Sequence, residues 1–167
     1  MSFILISGSN GSGKSLFAER LVSQTSGKRY YIATMHAQTE NNHARIEKHR
    51  RQREGLGFET LELPYELGSA PVGKDSVVLL EDVSNLLANA MFEKGGSVAS
   101  VLEDICRLKD RCKLLIAVTI SGLRDEGYDA ETVSYINGLN QLNQRLFDLA
   151  DAAYTMEYQQ SVCVKGE

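Results

Sequence analysis

The sequence predicts an α/β fold in which helices cover both faces of a mostly parallel β-sheet. Two observations support this prediction. Short apolar runs alternate with longer stretches of helical character, and the runs at residues 77–80 and 114–118 are continuously apolar. Such runs are typical of parallel strands that are buried on both faces. The second observation is a glycine-rich loop between the first predicted strand and the first predicted helix.

The glycine-rich loop matches a phosphate-binding pattern. Residues 8–15 fit G-x-x-x-x-G-K-[ST], with the apolar run 3–6 before them and helical apolar spacing in residues 16–22. In such a loop, backbone N–H groups surround a phosphate chain, the lysine reaches the β- and γ-phosphates, and the hydroxyl ligates Mg²⁺. We therefore predict a P-loop NTPase-like fold with Lys14 in a catalytic role and Ser15 as a metal ligand. The predicted nucleotide-binding loop comprises Gly8, Ser9, Asn10, Gly11, Ser12, Gly13, Lys14 and Ser15.

The other predicted elements follow in order along the chain. The spacing of apolar residues predicts further strands at residues 29–34, 58–63, 77–80 and 114–118, and helices at residues 40–53, 84–92, 98–112 and 131–150. Residues 153–164 are predicted to form an antiparallel hairpin that closes one edge of the sheet. The length of 167 residues is consistent with a single nucleotide-binding domain over residues 1–167.

Composition excludes several classes of protein. A formal net charge of −4 argues against a nucleic-acid-binding protein. No apolar run approaches the length of a membrane span, and the first residues lack the basic segment of a signal peptide. The three cysteines, Cys106, Cys112 and Cys163, follow no metal-binding spacing, which indicates reduced thiols. We expect a cytoplasmic protein without membrane insertion.

An acidic pair ends the predicted strand at residues 77–80. In P-loop proteins, an acidic residue at the end of a buried strand holds the Mg²⁺ ion opposite the loop hydroxyl. Either Glu81 or Asp82 could take this role, because both follow the apolar run directly. The alternative is an ordinary solvated strand end.

A basic cluster lies on the predicted helix 40–53. Arg45, His49 and Arg53 have i, i+4, i+8 spacing and therefore share one helix face. Such a face could surround a triphosphate, and the neighbouring arginines favour a neutral imidazole that can act as a nucleophile. Periodicity alone favours a charged, solvated face instead.

Motifs along nearly the whole chain follow the order known from one family. They are Tyr-Ile-Ala-Thr at 31–34, Arg-Ile-x-x-His-Arg-x-x-Arg at 45–53, Glu62, Leu-Leu-Glu at 79–81 with Asn89 behind it, and Leu-Asn-Gln-Arg-Leu at 142–146 followed by Ala150 and Asp151. Together with the loop at 8–15, this order resembles the bifunctional adenosylcobinamide kinase / adenosylcobinamide-phosphate guanylyltransferase family.

The resemblance implies an activity in cobalamin biosynthesis. Family members phosphorylate the hydroxyl of adenosylcobinamide with a nucleoside triphosphate, GTP or ATP. They then transfer GMP from GTP to that phosphate through a GMP–histidine intermediate, and they assemble as trimers. On this resemblance, His49 takes the GMP and Glu81 stands at the carboxylate of the Mg²⁺ site. The residues that would line the nucleotide are Ala33, Thr34, Arg50, Arg51, Gln52, Arg53, Glu62 and Glu81.

The sequence departs from the family pattern at several places, two of which bear most on the activity. Gly11 stands where the family's loop has an arginine, and residues 120–127 replace a family motif that reads N-E-V-G-x-G-I-V-P. These departures leave two other hypotheses open. The chain could be a P-loop kinase that acts on another small molecule without corrinoid specificity, or a nucleotide-binding regulatory module with low turnover.

Overall fold

The computed structural model describes residues 2–36 and 40–166. The strands of these residues are β1 (Ser2–Gly8), β2 (Lys28–Ala33), β3 (Phe58–Glu62), β4 (Ser76–Glu81), β5 (Leu114–Ile120), β6 (Ala152–Glu157) and β7 (Gln160–Lys165). The helices are α1 (Lys14–Ser23), α2 (Glu40–Arg53), α3 (Val83–Glu93), α4 (Val98–Arg111) and α5 (Ala130–Leu149). The predicted bounds therefore hold to within a few residues, as is usual for element ends.

The described strands form one sheet in the order β3-β2-β4-β5-β1-β6-β7. Each neighbouring pair is parallel except β6 and β7, which pair antiparallel. Strands β4 and β5 are fully buried over residues 76–81 and nearly so over 114–120. The predicted α/β fold and the antiparallel hairpin at the sheet edge are confirmed.

Helices pack on both faces of the sheet. On one face, Ala18 and Val22 of α1 pack against Leu79 and Ile116. On the other face, apolar residues of α3, α4 and α5 bury the second core cluster, which includes Leu87, Ile105, Leu139 and Leu142. Removing this apolar surface from water is the main force that holds the helices on the sheet.

Side-chain caps fix where three of the helices begin. Asp82 accepts a hydrogen bond from the Asn85 N–H before α3, and Asp129 accepts one from the Thr132 N–H before α5. Ser97 and Ser100 form a reciprocal capping pair at the start of α4. These contacts satisfy N–H groups that have no partner within the helix.

The order of the strands creates a crevice at one edge of the sheet. Strand β1 lies between β5 and β6. After β1 the chain crosses β5 and β4 to form β2 on their far side. Ligands of open α/β sheets bind beyond the carboxyl ends of the strands, where the strand order reverses. In this protein Gly8, Ala33, Glu81 and Ile120 end the strands at that edge.

One connection was not predicted from the sequence. A short 3₁₀ turn, Leu67–Ser69, follows β3 and buries the Leu67 side chain completely. The Leu67 N–H donates to Asp104 at 2.9 Å, and Arg111 donates to the carbonyl oxygens of Leu67 and Ala70. Long-range polar contacts with α4, rather than local propensity, therefore hold this connection.

Candidate functional site

The loop between β1 and α1 has the conformation that its glycines allow. Gly11 and Gly13 have φ values of 74° and 93°, a left-handed region that favours glycine. A Cβ atom on Gly8 would lie 2.6 Å from the Ser12 Oγ and 2.8 Å from the Met156 carbonyl oxygen. Gly8 therefore allows the loop to pack closely against Met156, and its role is structural.

Lys14 is buried at the start of α1. Its Nζ atom donates to the Ser9 carbonyl oxygen at 2.6 Å, so Ser9 contributes a backbone acceptor to the loop. Burial lowers the pKa of Lys14, and the negative charges of Asp82 and Glu81 act in the opposite direction. The structure thus places one partly desolvated ammonium group inside the loop.

Glu81 is the centre of a buried hydrogen-bond cluster. Its Oε1 atom accepts from the Ser15 Oγ at 2.5 Å, and its Oε2 atom accepts from the Tyr31 hydroxyl at 2.7 Å. The His49 Nδ1 atom lies 2.6 Å from Oε2. Burial by itself would raise the pKa of Glu81, but the hydrogen bonds from His49, Ser15 and Tyr31 and the charge of His49 hold that pKa below its ordinary value. Glu81 therefore stays ionised although it is buried.

The two acids at the end of β4 have different surroundings. Glu81 contacts the loop hydroxyl, whereas the Asp82 carboxylate accepts from the Ser84 hydroxyl at 2.6 Å and from the Asn85 N–H at 2.7 Å. Burial raises the pKa of Asp82, and those two hydrogen bonds oppose the shift. Of the two acids, only Glu81 reaches Ser15 directly.

The Ser15–Glu81 pair is suitable for a magnesium ion. Mg²⁺ prefers oxygen ligands, and nucleotide sites commonly supply one or two protein oxygens while phosphates and water complete the octahedron. Among residues 2–36 and 40–166, no cluster of three or more His, Cys, Asp or Glu side chains is arranged to hold a metal ion. Ser15 and Glu81 themselves supply the one or two protein oxygens that an ion bound to a nucleotide needs.

Helix α2 carries His49, Gln52 and Arg53 to the site. The His49 Nδ1 atom lies 3.3 Å from the Ser15 Oγ, and one turn further on Gln52 donates to Glu19 of α1 at 2.9 Å. Burial raises the pKa of Glu19, and the hydrogen bond from Gln52 opposes that shift. These polar contacts fix His49 against the end of the phosphate-binding loop.

Arg53 lies flat on an aromatic ring. Its Cζ atom is 3.3 Å from the centroid of the Tyr31 ring, and its side chain is almost fully buried. The Nη1 atom is buried without a hydrogen-bond partner. A buried guanidinium nitrogen with a free N–H is costly, and an oxygen-bearing ligand would satisfy it.

Two pockets meet at His49. The loop pocket is lined by residues 10–16 together with Arg45, Lys48, His49, Gln52, Glu81, Asp82, Val118, Ile120 and Gln159. The sheet-edge pocket is lined by Tyr31, Ala33, Met35, Arg45, Ile46, His49, Arg50, Arg53, Thr60, Glu62, Glu81, Asp82 and Asn85. Both pockets share Arg45, His49, Glu81 and Asp82. A ligand that fills both pockets must therefore pass His49.

Most of the predicted site residues line one of these pockets, but Gly8, Ser9, Thr34 and Arg51 line neither. Thr34 is fully buried, and its hydroxyl donates to the Asp82 carbonyl and accepts from the Asp82 N–H, both at 2.9 Å. Thr34 thus holds the strand end that presents Glu81. Arg51 is 77% exposed and lies 3.5 Å from Glu47 on the outer face of α2.

Three contributors to the site were not predicted from the sequence. Tyr31 and Glu19 lie on the face of the sheet that carries α1, where they contact Glu81 and Gln52 respectively. Tyr31 belongs to the Tyr-Ile-Ala-Thr motif but was given no role in the site, and Glu19 looked like an ordinary helix residue. Gln159 comes from the β6–β7 turn and lines the loop pocket. Because Gln159 is far from the loop in the sequence, no sequence pattern indicated this position.

Comparisons with known proteins agree with the geometry. The sequence profile described as "CobU: Cobinamide kinase / cobinamide phosphate guanyltransferase" matches residues 4–162. The chain is 38% identical over 95 residues to the bifunctional adenosylcobalamin biosynthesis protein CobU of Escherichia coli (strain K12). That alignment covers 56% of this chain and 52% of the E. coli protein, so the chain spans about half the length of this curated relative.

Similar solved structures support the fold alone. One of them, described as an ATPase domain, has a TM-score of 0.54 at 11% identity, covering 99% of this chain and 77% of that one. An ATPase from the type III secretion system of pathogenic bacteria has a TM-score of 0.57 at 10% identity, covering 97% of this chain and 56% of that one. Separately, no helix in residues 2–36 and 40–166 is long and apolar enough to cross a membrane.

Proposed function

This chain belongs to the cobinamide kinase / cobinamide phosphate guanyltransferase family, and we propose on that premise that it catalyses both reactions. In the first, adenosylcobinamide is phosphorylated on its hydroxyl by a nucleoside triphosphate. In the second, GMP is transferred from GTP to that phosphate through a covalent GMP–His49 intermediate. The curated relative, named as a bifunctional adenosylcobalamin biosynthesis protein, supports the pairing of the two activities.

The position of His49 between the two pockets is the observation that carries the proposal. A nucleoside triphosphate with its β- and γ-phosphates in the phosphate-binding loop extends past His49 into the sheet-edge pocket. Its α-phosphate then lies beside the imidazole, because that phosphate joins the two parts of the nucleotide. Proximity of this kind converts the attack into an effectively unimolecular step.

Glu81 prepares His49 for the attack. When the Nδ1–H of His49 donates to the Glu81 carboxylate, the lone pair of the His49 Nε2 atom is left available as the nucleophile. Nε2 forms a bond to the α-phosphorus of GTP, the bond from that phosphorus to the bridging oxygen breaks, and pyrophosphate leaves. A phosphate oxygen of the acceptor then attacks the same phosphorus and releases the imidazole.

Charged groups around the pockets stabilise the phosphates. Lys14 and Arg45 line the loop pocket, and Arg45, Arg50 and Arg53 line the sheet-edge pocket. Positive groups aimed at a transferring phosphoryl group lower the barrier because they are already in place. Ser15 and Glu81 would hold Mg²⁺, which neutralises charge on the phosphates. In the kinase step Lys14 and the bound Mg²⁺ would act at the γ-phosphate.

The presence of Glu62 in the sheet-edge pocket favours guanine as the base that binds there. Guanine presents two adjacent N–H donors on its pairing edge, and a carboxylate can accept from both. Adenine lacks this pair of donors. We propose GTP as the donor for GMP transfer on this ground, and either GTP or ATP for the phosphorylation step.

The remaining parts of the proposal depend on the family. We propose a corrinoid acceptor, a cytoplasmic location and a homotrimer on the strength of the resemblance. One sheet contains every strand of the described residues, and this supports a single domain over residues 1–167. Equilibrium sedimentation tests the trimer. Assaying cobinamide beside a panel of small alcohols separates this proposal from a kinase with another acceptor and from a module with low turnover.

Labelling the protein with GTP tests the central step. The purified chain is incubated with α-labelled GTP and Mg²⁺, denatured, and examined for acid-labile, base-stable label. We expect one label that maps to His49. The variant His49→Ala should lose the label while it still binds GTP, and His43→Ala is the matched control because His43 is an exposed residue on the same helix. Label that persists in His49→Ala would overturn the proposal.

A further inference from the structure

The turn of the β6–β7 hairpin contacts the phosphate-binding loop. The Gln159 side chain donates through Nε2 to the Gly11 carbonyl oxygen at 2.7 Å, and the Gln159 backbone N–H donates to the Ser12 carbonyl oxygen at 3.2 Å. A Cβ atom on Gly13 would lie 2.6 Å from the Gln159 Oε1 atom. Three successive loop residues therefore lie against one glutamine from the other end of the chain.

These contacts control the direction of the loop's peptide groups. In a trans peptide the carbonyl and the following N–H point in opposite directions. When Gln159 holds the carbonyl groups of Gly11 and Ser12, it also fixes where the N–H groups of Ser12 and Gly13 point. The Ser12 N–H donates to the Ser9 carbonyl oxygen at 3.3 Å, so the direction of the Gly13 N–H is the one that bears on a ligand. Anions bind to P-loops through such N–H groups, so their direction affects the binding of a phosphate chain.

The turn itself adopts a conformation that its residues disfavour. Tyr158 and Gln159 have φ values of 49° and 66°, the left-handed region in which Asn and Gly are usual for two-residue hairpin turns. Tyr158 is 93% exposed, so burial of its ring does not explain the turn. Backbone strain of this kind persists where surrounding contacts enforce it, often beside functional sites. The pairing of Glu157 with Gln160 requires a two-residue turn of this kind, and the two hydrogen bonds to the loop add to that constraint.

We infer that Gln159 is a positioning residue for the triphosphate. It holds the phosphate-binding loop in the conformation that binds the phosphates. Its side chain lines the loop pocket, where the β- and γ-phosphates lie, and is absent from the lining of the sheet-edge pocket. This inference rests on the proposed function for the identity of the nucleotide. It adds a role for the β6–β7 hairpin, which the family motifs do not include.

Nucleotide binding to three forms of the full chain tests the inference. Titration calorimetry measures the affinity of MgGTP and of GMP for the wild type, Gln159→Ala and Gln160→Ala. Gln160 is the matched control because it is the next residue along, it is exposed, and it pairs with Glu157 across the hairpin. Loss of one neutral hydrogen bond should weaken MgGTP about fivefold in Gln159→Ala. GMP does not extend to the β- and γ-phosphate positions, so its affinity should stay unchanged.

A second variant separates positioning from general structure. Gln159→Glu keeps the shape of the side chain, cannot donate to the Gly11 carbonyl, and adds a negative charge near the phosphates. It should weaken MgGTP binding at least as much as Gln159→Ala does. It should not recover any of the wild-type affinity. Equal MgGTP affinity in Gln159→Ala, Gln160→Ala and the wild type would overturn the inference, as would a parallel loss of GMP binding. A wild type that binds no MgGTP would instead refute the proposed function, and the inference with it.

Discussion

Replacing Glu81 by Gln tests the electrostatics at the centre of the site. The buried carboxylate accepts from Ser15, Tyr31 and His49. A Gln side chain has the same shape and can keep neutral hydrogen bonds to these partners. A hydrogen bond to a charged group is worth about 1 kcal/mol more than a neutral one, so three such bonds amount to about 3 kcal/mol.

The cost of burying the charge offsets part of that value. Burial would raise the pKa of Glu81, but the hydrogen bonds from His49, Ser15 and Tyr31 hold that pKa below its ordinary value. We therefore expect Glu81→Gln to reduce the free energy of unfolding by about 1–2 kcal/mol at pH 7. Urea unfolding followed by circular dichroism measures this difference.

The dependence on pH gives an independent check. A carboxyl group whose pKa is lower in the folded state stabilises the fold above its unfolded pKa of about 4.3, and this contribution is lost as pH falls through the folded pKa. The difference between wild type and Glu81→Gln should therefore be complete at pH 7 and shrink below about pH 4.3.

Control variants isolate the contribution of Glu81. Glu62→Gln removes an exposed carboxylate and should change stability by less than about 0.5 kcal/mol. Tyr31→Phe removes one donor and keeps the charge, so about 1 kcal/mol is expected. A Glu81→Gln protein as stable as wild type at pH 7, or a difference that persists at low pH, would refute the reasoning.

Three further predictions concern the loop, the core and a thiol. Lys14→Ala should weaken MgGTP binding about 10- to 100-fold in a titration, because a charged contact to phosphate is lost; exposed Lys74→Ala is the control, and equal affinities would show that the loop is not used as proposed. Leu115→Ala should cost about 2–5 kcal/mol in urea unfolding, because Leu115 is completely buried. Leu149→Ala, at a residue 44% exposed, should cost less than about 1 kcal/mol, and similar losses in both variants would contradict the described core. Burial raises the pKa of Cys112 to about 11. In an alkylation time course at pH 8 read by mass spectrometry, exposed Cys163 should therefore react well before Cys112, and the reverse order would be inconsistent with the structure.

Local sequence predicted the elements well because their causes are local. The short run of β-branched and apolar residues at 77–80 favours a buried strand, and the glycines at 11 and 13 permit the left-handed φ values of the loop. The order of strands could not be read in this way. Pairing of β1 with β5 and β6 depends on contacts between segments more than 100 residues apart.

The candidate site was predicted in part for the same reason. Spacing grouped His49 and Arg53 on one helix face but by itself favoured a solvated face; the family resemblance indicated their site roles, and both line the pockets. The choice between Glu81 and Asp82 needed coordinates, because only the direction of each side chain separates them. Thr34 was expected beside the nucleotide on the resemblance, but the geometry directs its hydroxyl to the backbone of Asp82.

The position of β6 beside β1 has a consequence for the newly synthesised chain. The strand, loop and helix of the phosphate site leave the ribosome before the hairpin, and Gln159, which contacts the loop, follows 148 residues after Gly11. A nascent chain stalled before the hairpin would contain the complete loop sequence without its support from Gln159. Full affinity for a triphosphate is then a property that the chain acquires only after the β6–β7 hairpin has been synthesised.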